Sequence, residues 1–600
     1  MIFQENVSFD HYFGTYPFAL NKAGDGQTFT PAQGTPDVNG LTWSLLAANP
    51  NMSNPQRLDS SPKGLPGDPG GQLTCDQDHN YSDEQQAFDG GNMDQFVQSL
   101  GSASGNAPGT TTACNTLKSV VMDYYDGNTV TALWNYAQHY AMSDNSWETT
   151  FGPSAPGAIN LVSGNTGGVD TSHEANPPGN AVTTATSSAP NADITPDGHG
   201  GFSLTSDAQP YWDDCSTRDA VALEGKNIGD LLNEQHLSWG WFQGGFRPTT
   251  TFADAKKAPE IGHPDQSTAD FIPDEFKGSF TGKLTPTGAS NQALCNAVHP
   301  VGVAFGATTA QTPPLNFGFK DDYIAHHEPF QYYESTANPH HLTIPQTGGH
   351  DTLVGLKTIG TDTQSYDHGV AQFDTPNHQY DTSDFDDLVS AIDNGLSPDY
   401  LPAVSFIKAP GYEDGHAAYS DPADEQNFVV HIINELEQSP DWSSTAIVIN
   451  YDDSDGWYDH DFSGVTNQSQ SPADNLTNTA LGPIGAANPT SGLCQAAQSK
   501  PPGPLAGEQG RCGFGPRLPL LVISPWAKTN FVDGNMSDQS SMINFIEYNW
   551  HLPGIPGSFD TALDHTDHQE GIKFDLAGLF NFDGPPNDTT YILDPVTGKP

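Results

Sequence analysis

The chain has 600 residues, which is enough for a large hydrophobic core and, on length alone, for two to four domains. Its 73 acidic and 20 basic residues give a formal net charge of -53, which argues against nucleic acid or an anionic membrane as an electrostatically attracted partner. No run approaches the roughly 18 apolar residues that a membrane-spanning helix requires, so we expect no transmembrane segment.

The predicted elements begin with a short apolar strand at residues 1–3, followed by a loop over 5–14. No charged or apolar leader region precedes this strand, so we expect that this N-terminus has lost half of a strand and a signal peptide. Helical spacing of apolar residues predicts helices within 93–100 and 117–140. The Gly- and Pro-containing segment 151–157 predicts a sharp turn before the apolar run that follows it.

In the remainder of the chain, predicted strands alternate with predicted helices, which indicates an α/β fold with a mostly parallel central sheet and helices on both faces. The predicted strands cover 237–246, 401–407, 446–449 and 518–523, and the predicted helices cover 227–235, 384–394, 425–438 and 540–550. Segments poor in apolar residues predict long loop insertions at about 165–210, 247–320 and 466–512, and a polar tail from about 555.

Two aspartates follow the strand predicted at 446–449. Asp452 and Asp453 stand where that strand stops, and the carboxyl ends of strands are where α/β sheets bind ligands. Adjacent carboxylates repel each other unless a cation or a shared proton separates them, so the pair predicts a metal site. The alternative is an acidic turn without a ligand, since Asp and Gly are common turn residues.

Oxygen-bearing side chains also follow the first strand and the Gly-Pro turn. Glu5 and Asn6 come directly after the first strand, and Ser154 lies in the turn. Carboxylate and amide oxygens suit a hard divalent cation, and a serine hydroxyl bound to such a cation becomes a usable nucleophile. Taken singly, each residue is equally well explained as a polar loop residue.

Five histidines stand beside turns or polar loops: His79, His326, His327, His416 and His460. A single loop histidine is usually solvated. In a strongly acidic protein that acts on an anion, however, histidines would supply the local positive charge at acid or neutral pH. The acidic composition itself suggests a protein exposed to acid, where protonation of carboxylates would lower its self-repulsion.

The six cysteines fall into sequence-local pairs: Cys75 with Cys114, Cys215 with Cys295, and Cys494 with Cys512. An even number without C-x-x-C spacing favours disulfides over zinc, and disulfides indicate an oxidising compartment. We therefore expect a secreted or periplasmic protein. Six free thiols in a cytosolic enzyme are the alternative.

Several segments together resemble the bacterial phosphoesterase family that contains phospholipases C and acid phosphatases, within the alkaline phosphatase superfamily. The matching segments are Gln4–Gly14, Phe151–Ser154, His326–Phe330, Leu401–Ser405, Asn450–His460, Arg517–Pro519, Ser524–Trp526, Phe545–Glu547 and Asn549–Trp550. They lie in the family's order. The resemblance implies an alkaline-phosphatase-like sandwich over residues 1–555, followed by a tail over 556–600.

The resemblance also implies roles for individual residues. It makes Ser154 the nucleophile, and it surrounds one divalent cation (calcium, zinc, manganese or magnesium) with Glu5, Asn6, Ser154, Asp452 and Asp453. It places His79, His326, His327 and His416 around the phosphoryl group, which Asn6 also contacts. Asp78 and His460 are expected to hold these groups in place. Gly157 and Gln539 stand where many relatives have Asn and His, and the second difference favours one metal over two.

These roles predict a two-step hydrolysis through a phosphoserine, with His326 or His327 as the general acid. Ser154, the Asp453–Gly456 form of the motif and the short C-terminal extension favour an acid phosphatase that acts on small phosphomonoesters. A phospholipase C that cleaves phosphodiesters is the alternative. A catalytically silent binding protein on the same scaffold is a further alternative.

Overall fold

The computed structural model describes residues 1–58, 74–101, 113–175, 182–247, 298–301, 318–361, 378–471, 494, 511–561 and 576–600, apart from a few positions inside these ranges. The strands are β1 (Ile2–Gln4), β2 (Ala141–Ser143), β3 (Ser146–Trp147), β4 (Val169–Ala175), β5 (Ile194–Pro196), β6 (Phe202–Leu204), β7 (Gln209–Pro210), β8 (Ala220–Leu223), β9 (Trp239–Gln243), β10 (Val298–Val301), β11 (Gly318–Asp321), β12 (Gln346–Thr347), β13 (His350–Asp351), β14 (Gln379–Tyr380), β15 (Val404–Lys408), β16 (Ile447–Tyr451), β17 (Leu520–Ile523), β18 (Phe531–Asp533) and β19 (Ser537–Asp538).

The α-helices are α1 (Phe9–Phe13), α2 (Trp43–Ala47), α3 (Tyr81–Phe88), α4 (Phe96–Ser99), α5 (Thr131–His139), α6 (Ser154–Ser163), α7 (Ile228–Glu234), α8 (Leu353–Leu356), α9 (Thr382–Asp393), α10 (Pro422–Gln438) and α11 (Ser541–Trp550). Short 3₁₀ helices lie at Asp89–Gly91, Cys114–Thr116, Lys118–Met122, Ala325–His327, Pro329–Tyr332, Pro398–Tyr400, Trp442–Ser444 and Ala577–Leu579.

Eight strands form the central sheet, in the order β14-β9-β15-β1-β16-β17-β2-β18. Neighbouring strands are parallel except at β17, which runs antiparallel to both β16 and β2. The strands are apolar and buried, and helices pack around them to form one continuous hydrophobic core. The predicted α/β fold with a mostly parallel sheet is confirmed.

The register of β1 determines where the functional residues emerge. Gln4 pairs with Tyr451 of β16, and Phe3 pairs with Lys408 of β15, with all three strands parallel. The residues that follow β1 and β16 therefore leave the sheet side by side at its carboxyl edge, where ligands bind in α/β sheets.

The segment 5–14 is not entirely a loop, because it contains helix α1. Ser8 caps this helix, and its hydroxyl accepts a hydrogen bond from the His11 backbone N–H. Phe9 and Phe13 are fully buried in the core. A five-residue helix is too short for its periodicity to stand out in the sequence.

The helix predicted over 117–140 is interrupted. Only Lys118–Met122 and Thr131–His139 are helical, and a turn at 126–129 separates them. Gly127 lies so close to Trp134 that a Cβ would be 2.4 Å from the indole ring, which explains a glycine at the turn. The helix predicted at 93–100 is likewise reduced to Phe96–Ser99.

The insertion at 165–210 carries secondary structure of its own. Strands β4 and β7 of the insertion pair with β8, which follows it in the sequence, and β5 pairs with β6 as an antiparallel hairpin. Most of the insertions at 247–320 and 466–512 lies outside the described residues. The C-terminal tail is not purely polar, since Leu576, Leu579 and Leu593 are buried against the main core.

Two of the predicted disulfides are present, Cys75–Cys114 and Cys494–Cys512. Cys215 is also disulfide-bonded, while its predicted partner Cys295 lies outside the described part of the chain. Among the helices that the structure describes, none has the length and apolar character needed to cross a bilayer.

Candidate active site

Ser154 is the first residue of α6, directly after the predicted turn. Gly152 has a φ of 122°, a left-handed conformation that favours glycine, and its N–H donates to the Glu84 carboxylate at 2.9 Å. The Phe151 N–H donates to the Cys512 carbonyl at 2.9 Å. These bonds fix the turn and hold the Ser154 hydroxyl at the carboxyl edge of the sheet.

Three side-chain oxygens surround the Ser154 hydroxyl. Its Oγ lies 3.0 Å from Asp453 Oδ2, 3.1 Å from Glu5 Oε2 and 3.3 Å from Asn6 Oδ1. One hydroxyl proton can satisfy only one of these acceptors at a time. The cluster is therefore rich in oxygen atoms and poor in protons, as a binding site for a hard cation would be.

Asp452 completes this oxygen cluster. Its Oδ1 accepts the backbone N–H groups of Asn6 at 2.8 Å and Asp453 at 2.7 Å, and Asn6 adopts a left-handed φ of 58°. Asp452 Oδ2 is buried and has no hydrogen-bond partner within the described ranges. Burial and the Asp452 charge raise the pKa values of Glu5 and Asp453 well above their usual range. The oxygen atoms of Glu5, Asn6, Asp453 and Ser154 thus form a cluster of the kind that suits a divalent cation, and Asp452 is hydrogen-bonded to the backbone of Asn6 and Asp453.

Gly157 and Gln539, which differ from many relatives, both lie against the main chain at the end of β16. A Cβ on Gly157 would lie 2.0 Å from the Asp452 carbonyl oxygen. The Gln539 amide donates to the carbonyls of Tyr451, at 3.1 Å, and Asp452, while its oxygen accepts from Thr149 N–H at 3.1 Å. The Gln539 side chain therefore stabilises the main chain at the end of β16 and at Thr149 through hydrogen bonds.

Buried cations that the sequence analysis did not identify lie beside the predicted ligands. Lys408, at the end of β15, is completely buried, and its ammonium contacts Glu5 Oε1. Burial alone would lower the pKa of Lys408, but Glu5 raises it overall. Lys320 lies 3.9 Å from the centre of the Tyr419 ring, close enough to the histidines to affect their pKa values. The sequence signal that could have identified Lys408 was its position directly after the strand predicted at 401–407.

The four histidines predicted around the phosphoryl group converge. His327 Nδ1 is 3.1 Å from Glu5 Oε1, and the rings of His326 and His327 are 4.5 Å apart. The rings of His79 and His416 are 6.4 Å apart. His416 acts electrostatically on both His326 and His327, which links the two pairs.

The expectation that these histidines are cationic is wrong for three of them. Burial lowers the pKa values of His326, His327 and His416 well below 6.5, and nearby cations lower them further. His79 differs: burial opposes its protonation, but neighbouring carboxylates raise its pKa well above 6.5. Those carboxylates belong to Asp453, Asp455, Asp76 and Asp207.

Asp78 and His460 do not support the site in the expected way. Asp78 Oδ1 accepts the backbone and amide N–H groups of Asn80 at 3.1 and 2.7 Å. The carboxylate at His79 is instead Asp455, 3.4 Å from its Nδ1. His460 Nδ1 lies 2.7 Å from Asp10, in a buried cluster with Arg517 and Asp459 that anchors α1.

A cavity of about 430 Å³ opens beside Pro153, the residue before the candidate nucleophile. Its charged lining consists of Asp76, Asp78, His79, Asp193, Asp207, Arg218 and Asp219. Asp193 and Asp207 come from the insertion at 165–210, which carried no chemical motif. Asp414 was also missed, although it, Glu5 and His327 offer potential ligand atoms within 4.8 Å of one another.

Known proteins similar to this chain include several phospholipases C. It is 32% identical over 218 residues to non-hemolytic phospholipase C of Burkholderia pseudomallei, covering 35% of this chain and 26% of the relative. It is 27% identical over 203 residues to that of Pseudomonas aeruginosa (33% and 26%), and 26% identical over 189 residues to phospholipase C A of Mycobacterium tuberculosis (32% and 31%). The matches thus span less than a third of each of these relatives.

The family model described as "Phosphoesterase family" matches residues 1–300 and 328–553, and so covers most of the chain. The matched ranges contain every residue that surrounds the Ser154 hydroxyl. They also contain His79 and His416, whereas His326 and His327 lie between the two ranges. This extensive match confirms the resemblance first found in the sequence, and the chain belongs to the Phosphoesterase family.

Proposed function

We propose that this protein is a metal-dependent hydrolase of phosphoric esters that works through a phosphoserine at Ser154. The observation that carries the proposal is the convergence of Glu5, Asn6 and Asp453 on the Ser154 hydroxyl, at 3.0–3.3 Å. Membership of the Phosphoesterase family supports the same chemistry. The small phosphate ester would enter through the cavity beside Pro153.

Glu5, Asn6, Ser154, Asp452 and Asp453 are the residues that would hold one divalent cation. When bound, such a cation would compensate the clustered carboxylates and lower the pKa of the serine hydroxyl. The unpartnered Asp452 Oδ2 and the raised pKa values of Glu5 and Asp453 favour this assignment, because both features mark a site short of positive charge.

The side chains would then catalyse a two-step displacement at phosphorus. Ser154 Oγ attacks phosphorus, its proton passes toward the adjacent carboxylates, and the ester bond breaks as the leaving oxygen takes a proton. A water molecule then cleaves the phosphoserine. Lys408, Lys320 and Arg218 are the nearby basic side chains that would offset phosphoryl charge, although burial lowers the pKa of Lys320.

His79, which lines the cavity beside Pro153, is an alternative to His326 or His327 as the proton donor. A general acid must be protonated when the leaving oxygen departs, and the carboxylates around His79 raise its pKa. The low pKa values of His326 and His327 make these residues neutral hydrogen-bond donors to the phosphoryl oxygens. His416 differs, because its Nδ1–H donates to the Ala417 carbonyl at 2.6 Å, and the other nitrogen of the neutral ring is then a hydrogen-bond acceptor.

Phosphomonoesters are the substrates that we propose, cleaved best at acid pH. Ser154 and the Asp453–Gly456 form of the motif favour this substrate class. Phosphodiesters are the second candidate, because the similar proteins are named phospholipases C. The disulfides favour a secreted or periplasmic location for either activity.

Hydrolysis of a chromogenic phosphomonoester and a phosphocholine diester, from pH 4 to 9, tests the proposal. Chelation and Ser154→Ala should each abolish activity, whereas Ser163→Ala, at the other end of α6, should retain most of it. Acid quenching should trap phosphate on Ser154. Preference for the diester would favour the phospholipase C alternative. A folded, metal-loaded protein that cleaves neither ester would contradict the proposal and favour a silent binding protein.

A further inference from the structure

Asp207 places a carboxylate on the helix that begins with the candidate nucleophile. It lies between β6 and β7, and its Oδ1 accepts the backbone N–H of Ala155 at 3.0 Å. Ala155 directly follows Ser154 in the first turn of α6. The N–H groups of a first helical turn lack partners within the helix and attract anions. Asp207 therefore satisfies one of these N–H groups and places its carboxylate beside the candidate nucleophile.

The groups that face Asp207 belong to the candidate active site. Its Oδ2 is 3.9 Å from His326 Nε2, and its charge contributes to the raised pKa of His79. Arg218 donates to the main-chain carbonyl of Asp207 at 2.5 Å and reaches His326 Nδ1 at 3.4 Å. The Tyr332 hydroxyl donates to the neighbouring Ala208 carbonyl at 2.6 Å. The carboxylate thus lies between the nucleophile helix and a phosphoryl-binding histidine.

The surrounding cavity adds further negative charge. Asp76, Asp78, Asp193 and Asp219 line it together with Asp207, against Arg218 and His79 as the positive groups. Electrostatic repulsion at short range in a partly buried site is strong. Asp207 is the carboxylate in this cavity that contacts the backbone beside Ser154, so its charge acts most directly on a bound phosphoryl group.

We propose that Asp207 is a specificity-determining residue that selects phosphoryl groups carrying one negative charge over those carrying two. This inference rests on the proposed phosphoesterase function. A phosphodiester carries one charge at every pH of interest, whereas a phosphomonoester loses its second proton near pH 6. Asp207 therefore admits diesters throughout this range and admits monoesters mainly in acid.

Asp207→Asn tests the inference, because an amide oxygen can still accept the Ala155 N–H while the charge is removed. Values of kcat/KM for a phosphomonoester and a phosphodiester should be measured from pH 5 to 8.5. In the wild type, the monoester-to-diester ratio should fall as pH rises through about 6. In Asp207→Asn, the ratio at pH 8 should be higher by about tenfold or more. Asp207→Glu should retain a falling ratio.

Asp219→Asn is the matched control, because it removes the same charge from the same cavity, where Asp219 is paired with Asp193. Its ratio should change by less than about threefold. Equal effects of the two Asn variants, or no effect of Asp207→Asn, would overturn the assignment.

A binding measurement separates failure of this inference from failure of the proposed function. Calorimetry of inorganic phosphate binding to the metal-loaded Ser154→Ala protein requires no turnover. Adding Asp207→Asn should tighten binding at pH 8 by about tenfold, with a smaller gain at pH 5. If the wild type hydrolyses neither ester but this gain is observed, the proposed function fails and the role of Asp207 stands. An unchanged affinity contradicts that role.

Discussion

Lys408 places a buried positive charge beside the candidate metal ligands. Its side chain is fully buried at the end of β15 and contacts Glu5, one of the residues proposed to hold a cation. Removing one partner of a buried ion pair leaves an uncompensated charge, which usually destabilises a protein more than the pair stabilised it. Lys408 therefore favours the ionised form of Glu5, against the burial and the Asp452 charge that raise the pKa of Glu5.

We predict that Lys408→Met lowers the free energy of unfolding by about 3 kcal/mol in the presence of chelator. A divalent cation should restore part of this loss, because it would compensate Glu5. Urea denaturation with and without cation measures both effects. Lys226→Met is the control: Lys226 pairs with Glu234 at the surface, with side chains 44% and 51% exposed, and should cost less than about 1 kcal/mol. Equal losses in both variants would contradict the prediction.

The candidate ligands could be predicted from the sequence because they directly follow strands. Glu5 and Asp452 emerge together since β1 and β16 are adjacent and parallel. Asp207 could not be found this way, because a tertiary contact brings a motif-free insertion onto α6. His460 was misassigned for the opposite reason: it is close in sequence to Asp453, but its side chain turns to Asp10.

Helix α6 and strand β16 form the pair of elements on which the site depends. Gly157, in the first turns of α6, touches the main chain of Asp452, and this contact brings Ser154 within 3.0 Å of Asp453. Alanine is ordinarily favoured over glycine in helices by about 1 kcal/mol. A glycine here therefore reflects close packing of the two elements.

We predict that Gly157→Ala lowers both stability and activity, although the higher helix propensity of alanine would by itself stabilise α6. The added Cβ would force α6 away from β16 and separate Ser154 from Asp453, costing about 2 kcal/mol of unfolding free energy and at least about tenfold in kcat. Thermal unfolding and ester hydrolysis measure the two effects. Gly534→Ala is the control, since a Cβ there would meet nothing nearer than 3.8 Å. A Gly157→Ala protein as stable and active as the wild type would refute the close contact.

Longer elements were easier to predict than short ones: the helices predicted at 227–235, 384–394, 425–438 and 540–550 are present, whereas the short central strands β2, β14 and β18 were not predicted. Buried apolar runs of β-branched residues mark β16 and β17 clearly, although not the antiparallel direction of β17, which depends on pairing with distant segments. Short helices such as α1 offer too few turns for a periodic pattern. Helical spacing over 117–140 was misleading because it extended across the turn at Gly127.

At the scale of the whole molecule, the excess of acidic residues extends into the interior. Burial raises the pKa values of Glu84 and Glu425 to about 7 and that of Asp538 to about 6. In the unfolded chain these carboxyls have pKa values near 4. Between about pH 4 and 7 the folded state therefore binds more protons than the unfolded state, and stability falls as pH rises.

We predict that the chelated protein is more stable at pH 5.5 than at pH 8, by at least about 3 kcal/mol. Buried neutral histidines such as His11 and His416 act in the opposite direction, because the unfolded state gains their protons below about pH 6.5. The greater number of buried carboxyls with raised pKa values should outweigh them. Urea unfolding at both pH values tests this, and a stability maximum above pH 8 would contradict it.

The two described disulfides adjoin the polypeptide that forms the site. Cys75 immediately precedes the segment of Asp76 and His79, and the carbonyl of Cys512 binds the turn that leads to Ser154. Reduction would therefore remove two covalent links beside the site, and it should loosen both the segment of His79 and the turn that holds Ser154. The redox state of these two cysteine pairs is thus coupled to the geometry around the candidate nucleophile.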